Sequence, residues 1–403
     1  MDNEYPTADA VEPNEPQVPA LSQGEDQVPE LVEGNTEFAL DLYHVLLDEN
    51  EGENLFYSPH SLSVALAMTY AGARGETEQQ MAQALHYTLS QAQLPPAFSA
   101  LDQALTGRSG AENEAAFQLH IADAIWGQQG YEFLDTFLDT LAENYGAGLR
   151  VVDFKQAEGA RRSINQWVSD QTEHRIQDLV PPEVINGETV LVLTDAVYFK
   201  AAWMHPFAES RTRDDTFTLL DGEQVTVPMM ELVAELGYAE RAGVQALELP
   251  YAGDALSMVI LLPEASAFEG FARGLDTRDL ETILDNLKPT GVRLTMPKFS
   301  FDAKFKLKDA LVALGMVDAF GDADFSGMDG THQLFIREVC HQAFVAVDEA
   351  GTEASGASAV IMERKGGPVV EQEIRLDRPF IFMIRDTETG AILFLGHVVN
   401  PAA

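Results

Sequence analysis

Apolar positions first recur at helical spacing. Phe38, Leu42, Val45 and Leu46 fall at i, i+4, i+7 and i+8, which predicts a helix opening after Asn35. A second helix over 62–73 is almost wholly apolar. It is entered through Ser58-Pro59-His60-Ser61, with Ser61 as the expected N-cap and Gly72 or Gly75 at its end. Further helical runs cover 77–89, 96–105, 132–145 and 158–172, with strand pieces at 117–126 and 150–154. From Thr189 the pattern changes. Val190 to Phe199 is a near-continuous apolar run, as expected for a strand buried on both faces. Strands are predicted at 224–229, 246–249, 256–262, 292–300, 338–347, 380–385 and 392–399, with short helices at 280–287 and 307–314. No linker composition and no internal repeat follow residue 34, so the expectation is a single α+β domain over 34–403.

Residues 1–33 differ. They carry acids but no Lys or Arg, with Pro6, Pro13, Pro16, Pro19 and Pro29. This composition predicts a disordered acidic tail. The alternative is a segment docked through Leu21, Val28, Leu31 and Val32.

Charge narrows the partners. The 403 residues carry 65 acidic and 25 basic side chains, a formal charge of -40, and no lysine precedes Lys155. Such a field repels nucleic acid and anionic polysaccharide. No apolar run is long enough for a membrane helix. The first residues show neither the basic nor the apolar region of a signal peptide. The setting is therefore extracellular, periplasmic or cell-surface if the chain starts at a mature terminus, and cytoplasmic otherwise.

Candidate enzyme chemistry is thin. There is no phosphate-binding glycine loop, no H-E-x-x-H and no paired cysteine motif. The nine histidines are scattered, so neither a metal nor a cofactor is expected. Cys340 and His341 are neighbours on a predicted strand, where side chains alternate between faces, so they do not pair directly. No Gly-x-Ser-x-Gly elbow is present. An enzyme is not expected.

The stretch Glu349 to Val360 can be read as an exposed loop or as a central strand. At period two, one face carries Thr352, Ala354, Gly356, Ser358 and Val360; the other carries Glu353, Ser355, Ala357 and Ala359. Small side chains on the first face could slide over an apolar interior. Proline, which would remove a ladder donor, is absent until Pro368. The polar, basic run Glu363-Arg364-Lys365-Gly366-Gly367 follows.

Phe344-Val345-Ala346-Val347-Asp348-Glu349-Ala350-Gly351-Thr352-Glu353-Ala354 resembles the hinge of the reactive-centre loop of serpins. Asn54 to Ser61 resembles the family's entry to its buried central helix, and Thr194 to Trp203 its central strand. Val227-Pro228-Met229-Met230, Leu249-Pro250-Tyr251, Met296-Pro297-Lys298-Phe299, Asp377-Arg378-Pro379-Phe380 and Gly396-His397-Val398-Val399-Asn400-Pro401 follow in the family's order.

The resemblance implies a metastable serpin fold of three β-sheets and about nine helices, with an exposed reactive-centre loop over about 349–376. It implies a monomeric suicide substrate of a serine protease, held as a covalent acyl-enzyme while the cut loop inserts as a new strand. The alternative is a non-inhibitory relative acting as a binding or chaperone-like protein. In the family the scissile bond lies fourteen residues after the hinge glycine, which counts from Gly351 to Lys365, with Gly366 on the leaving side. Lys365 suits a trypsin-like target; subtilisin- or elastase-like targets stay open. Arg364 and Met362 are alternatives, because the segment to Pro379 is longer than is common in the family. Glu349, Gly351, Thr352, Glu353, Ala354, Ser355, Gly356, Ala357 and Ser358 are the implied hinge. Ser58, Ser61, Asp195 and His341 match the buried polar cluster that governs sheet opening, called the shutter. Trp203 matches the breach, where insertion begins, with Lys298 as the expected partner of Glu349. The family has Asn at position 195, and the Asp here raises the prospect of pH-dependent opening through His341. The helix expected at 96–105 lacks Lys and Arg, so no heparin partner is expected.

Overall fold

The computed structural model describes residues 24–107, 117–145, 149–352 and 369–403. The first half contains α1 (Val28–Glu49), β1 (Leu55–Tyr57), α2 (Pro59–Tyr70), α3 (Gly75–Ala84), α4 (Leu94–Gly107), β2 (Phe117–Ile121), β3 (Ala124–Gln128), α5 (Asp135–Tyr145), β4 (Arg150–Val152), α6 (Ala157–Gln171) and β5 (Leu191–Ala202). The second contains β6 (Arg213–Thr218), β7 (Gln224–Arg241), β8 (Val244–Pro250), β9 (Leu256–Pro263), α7 (Phe268–Gly274), α8 (Thr277–Asp285), β10 (Lys288–Pro297), β11 (Phe299–Lys306), α9 (Lys308–Ala313), α10 (Ser326–Asp329), β12 (Val339–Val347), β13 (Gly351–Thr352), β14 (Gln372–Arg375), β15 (Phe380–Asp386) and β16 (Ile392–Val398). The fold is α+β, with ten α-helices among the described residues against the expected nine or so.

One sheet has the order β11-β12-β13-β5-β3-β4, with β2 also on β5. β2 and β3 run along β5 in one register, Phe117 opposite Ala201 and Ala124 opposite Thr194. They act as a single strand interrupted at Ala122 and Asp123. The remaining strands run β1-β16-β15-β9-β8-β7-β10-β14, with β6 on β7. β7 belongs to two groups. Its first part pairs with β6 and β10, and its end with β8, so β6, β7, β10 and β14 form a third group of strands.

α2 joins the two sheets, packing against β5 and β16. It is buried on nearly every side, as a helix that is apolar around most of its surface must be. Its N-cap is Ser58 rather than Ser61: the Ser58 hydroxyl accepts the Ser61 amide at 3.2 Å, and Pro59 sits in the first turn, where its missing N–H costs nothing. Both serines are thereby brought beneath β5 and β12.

Three further expectations need correction. The folded body starts before residue 34: α1 begins at Val28, Pro29 fits its first turn, and Leu31 and Val32 are buried. Leu21 lies outside the described residues. The strand expected at 292–300 is two strands in different sheets. Pro297 ends β10, and the Lys298 amide turns aside to the Pro228 carbonyl at 2.9 Å before β11 begins. The strand expected at 224–229 continues to Arg241.

Two buried histidines give the fold an acid limit. His60 and His397 lose water in the core, and burial lowers each to about 4 from 6.5. His397 Nδ1 accepts the Tyr43 hydroxyl at 3.0 Å, and Nε2 donates to the Glu53 carbonyl at 2.8 Å. Because the folded state holds these rings neutral, their stabilising contribution is complete above pH 6.5. It is lost as pH falls toward 4, by about 3 kcal/mol each. His86 has the opposite sign. Its two ring nitrogens face Asp41 (2.7 Å) and Glu37 (2.8 Å), and chiefly the bond to Asp41 raises its affinity for a proton. That clamp is complete below pH 6.5 and weakens as pH rises above it. A histidine NMR titration is expected to show His60 and His397 still neutral at pH 5.5, and His86 holding its proton to higher pH than an ordinary histidine. Ordinary titration of all three near 6.5 would contradict this account.

Candidate functional site

β12 turns back on itself at Asp348. The Asp348 carboxylate accepts the amides of Ala350 (2.8 Å) and Gly351 (3.2 Å), and its own amide donates to the Gly351 carbonyl at 2.9 Å. This tight turn sends β13 antiparallel between two strands. Thr352 pairs with Val347 of β12 on one side and with Ala201 of β5 on the other, and Gly351 pairs with Ala202. A Cβ on Gly351 would run into the Ala201 carbonyl, so only glycine lets the backbones approach this closely. Below this point β5 and β12 pair directly and in parallel, from Val339 opposite Leu193 to Phe344 opposite Tyr198. Two residues of a further strand are thus seated above a closed seam.

The expected breach residues meet here. Lys298 Nζ reaches Glu349 at 2.6 Å, and the Thr212 hydroxyl donates to the same carboxylate at 2.6 Å. Burial works to raise the Glu349 carboxyl, but these two donors outweigh it and hold it below its usual range. The Trp203 indole donates to the Asp348 carbonyl at 3.0 Å, the Trp203 amide to Ala350 at 2.9 Å, and the Phe207 amide to Glu349 at 2.8 Å. Tyr251 stacks on Trp203 (4.6 Å, 9°) and shares a hydrogen bond with the fully buried Thr352 hydroxyl at 2.7 Å. Sequence reasoning missed Tyr251, Thr212 and Phe207. For Tyr251 the Leu249-Pro250-Tyr251 motif was the available signal; for the other two only the fold brings them near.

The four expected shutter residues also meet, under the seam. His341 Nδ1 lies 3.0 Å from Asp195 Oδ1, and the two residues are opposite each other in the parallel pair. The Ser58 amide donates to His341 Nε2 at 3.2 Å. A backbone N–H can only donate, so Nε2 carries no proton here and Nδ1–H donates to Asp195. The closed seam therefore fits a neutral His341; a second proton would set two N–H groups against each other. Ser61 donates to both Asp195 oxygens (2.8 and 2.9 Å), and Ser58 donates to the Leu393 carbonyl at 2.7 Å. Every one of these side chains is buried.

Cys340 points the other way, into the cluster with Trp126, Ile164, Val192 and Ala196. Burial is the main cause that raises its thiol to about 12, so it is no nucleophile at neutral pH. Among the described residues no group of three or more His, Cys, Asp or Glu side chains is arranged to hold a metal, and no helix is long and apolar enough to cross a membrane. The expected reactive residues Met362, Arg364, Lys365 and Gly366 lie outside the described residues. So do Glu353, Ala354, Ser355, Gly356, Ala357 and Ser358.

Known proteins share this arrangement of sequence and fold. The family model for serpins (serine protease inhibitors) matches residues 33–401. An uncharacterized serpin-like protein of Thermococcus kodakarensis is 41% identical over 369 residues, spanning 90% of this chain and 84% of that protein. The human leukocyte elastase inhibitor is 37% identical, spanning 91% of this chain and 98% of that protein. Among solved structures, uncleaved ovalbumin superposes with a TM-score of 0.82 at 28% identity, covering 92% of this chain and all of its own. Human thyroxine-binding globulin, complexed with thyroxine, gives 0.83 at 27% identity, covering 94% and 100%. The chain belongs to the serpin family.

Proposed function

We propose that this chain is a suicide-substrate inhibitor of serine proteases, with a trypsin-like target. The observation that carries this reading is β13. The first two residues of a strand already lie between β5 and β12, in antiparallel register with both. The names of relatives such as leukocyte elastase inhibitor point the same way.

In this reading the protease serine attacks the Lys365 carbonyl. The Lys365–Gly366 bond breaks, the Gly366 amine leaves, and Lys365 remains as an ester on the serine oxygen. The freed segment then continues β13 downward, carrying the protease with it before water completes hydrolysis. The driving force is backbone pairing. An inserted strand of about ten residues gains on the order of ten hydrogen bonds net of the parallel seam it displaces, each worth ~1 kcal/mol. A gain of that size makes insertion irreversible on the time scale of catalysis. Arg364 serves the same trypsin-like pocket one position earlier, and Met362 would turn the specificity toward elastase-like enzymes. α3 and α4 carry no Lys or Arg, which supports inhibition without a polyanionic activator.

The register makes this reading testable residue by residue. Gly351 faces Ala202 and Thr352 faces Ala201 and Val347. An unbroken continuation would carry Ser358 opposite both Asp195 and His341, whose direct bond it would replace. Ser358→Ala is then expected to cost the cleaved form ~1–3 kcal/mol, because a buried carboxylate and imidazole lose a hydroxyl partner. Ser355→Ala, on the opposite face, should stay within about 0.5 kcal/mol. Denaturant unfolding of the two cleaved variants measures the contrast. Equal effects, or a wild type that gains no resistance to unfolding on loop cleavage, would contradict insertion and favour a binding role instead.

A further inference from the structure

Asp123 stands in the break between β2 and β3. Those strands follow β5 in one register, Ile121 opposite Val197 and Ala124 opposite Thr194, and the Ala122 amide donates to the Ala196 carbonyl at 2.8 Å. Asp123 therefore faces Asp195 directly. Its neighbours Ala122 and Ala124 point into the apolar cluster that holds Ala196 and Cys340. Because strand side chains alternate, Asp123 shares the other face with Asp195 and His341. A row of three titratable groups, Asp123, Asp195 and His341, runs from the β2–β3 break across β5 to β12. It crosses the seam that has to part for loop insertion.

Both Asp123 carboxyl oxygens are buried, and neither has a hydrogen-bond partner among the described residues. Its electrostatic neighbours there are Asp195 from β5 and Asp102 from α4, both acids. From α2 comes Ser61, which donates to Asp195, and from β12 comes His341. Two carboxylates facing each other out of water cannot both ionise. Asp195 holds the donors, one from His341 and a forked one from Ser61, so it takes the charge. Asp123 has none and keeps its proton. Burial first, then the charges of Asp195 and Asp102, push its carboxyl well above the usual range.

We infer that Asp123 is a positioning residue for sheet opening: its acid O–H faces Asp195 and replaces the donor that Asp195 loses when β12 carries His341 away. This role rests on the insertion reading above. During opening, Asp195 would be a buried carboxylate short of one donor, and a neutral Asp123 supplies one from the strand that stays beside it. No bond is made or broken beyond the hydrogen bond. Raising the pH ionises Asp123, removes the donor and sets two charges together, so insertion slows.

The test uses the full chain without a protease. Heat-driven insertion is timed between pH 5 and 9 by the gain of resistance to denaturant, for wild type, Asp123→Asn and Asp123→Leu. The wild-type rate should fall on the order of tenfold to hundredfold as pH rises. Asp123→Asn keeps a donor but cannot titrate and should lose this fall. Asp123→Leu should be slow at every pH. His341 is present in all three, so its own titration cannot produce the difference. Infrared spectra give the second readout: a protonated-carboxyl carbonyl band, at the low-pH end where the wild type inserts fastest, that Asp123→Asn removes. The inference is overturned if Asp123→Asn keeps the wild-type pH profile, or if no such band is lost. A wild type that never inserts overturns the insertion reading and this role with it, while the infrared band still reports whether Asp123 holds its proton.

Discussion

Thr352→Arg should turn the protein from an inhibitor into a substrate. Thr352 is fully buried between β5 and β12, with its hydroxyl on Tyr251. Among the described residues the Thr352 hydroxyl meets only the Tyr251 hydroxyl, and that ring is packed by Trp203 and Phe199, so an arginine there is set against aromatic side chains. Burying an unpaired charge costs ~3–5 kcal/mol. At 1.36 kcal/mol per tenfold, insertion slows by ~10²–10³-fold or more. Deacylation by water does not slow, so the partition between trapping and turnover shifts by the same factor. The expected result is rapid cleavage of the variant with almost no stable complex, against near-stoichiometric trapping by the wild type. The folded state should survive, because the variant can keep β13 out of the sheet. A variant that still traps protease one for one would sink the insertion mechanism.

Lys365→Leu should move the target rather than abolish the mechanism. A trypsin-like pocket places a buried carboxylate against the basic side chain, and a site built for such a pair rejects an apolar replacement by ~10⁴-fold. Association with trypsin should fall by about that factor, and association with elastase-like proteases should rise. The hinge, breach and shutter are untouched, so complexes that do form should be as stable as before. Measured association rates for both protease classes check this. If Arg364 is the bait, Lys365→Leu leaves trypsin inhibition nearly intact and Arg364→Leu removes it.

The sequence carried much of this because its motifs are local. The apolar run around Leu62 to Tyr70 reads as a buried helix, and β5 as a buried strand, from their own residues alone. His341, Asp195, Ser58 and Ser61 were grouped by family resemblance, and the fold brings all four within hydrogen-bond reach. What escaped depends on register across strands. Asp123 faces Asp195 only because β2, β3 and β5 share one alignment, which a single strand does not reveal. Thr212 reaches Glu349 across 137 residues of chain. At the start of α1 the docked alternative holds for Val28, Leu31 and Val32, which tertiary packing places against the core, while the charge and proline content of residues 1–33 as a whole had favoured a disordered tail. β11 was a plainer miss. Phe299, Phe301, Ala303 and Phe305 alternate with polar residues, but the preceding apolar stretch absorbed its first two positions.

The central claim is that the loop beyond Thr352 is cut and then completes the strand that β13 begins. Mixing the full chain with trypsin, separating the products in SDS and sequencing the released C-terminal fragment tests it most directly. The account predicts a covalent complex of inhibitor and protease, one to one, with a released peptide that begins at Gly366. Cleavage that leaves no complex, together with a cut protein no more heat-resistant than the intact one, would contradict it.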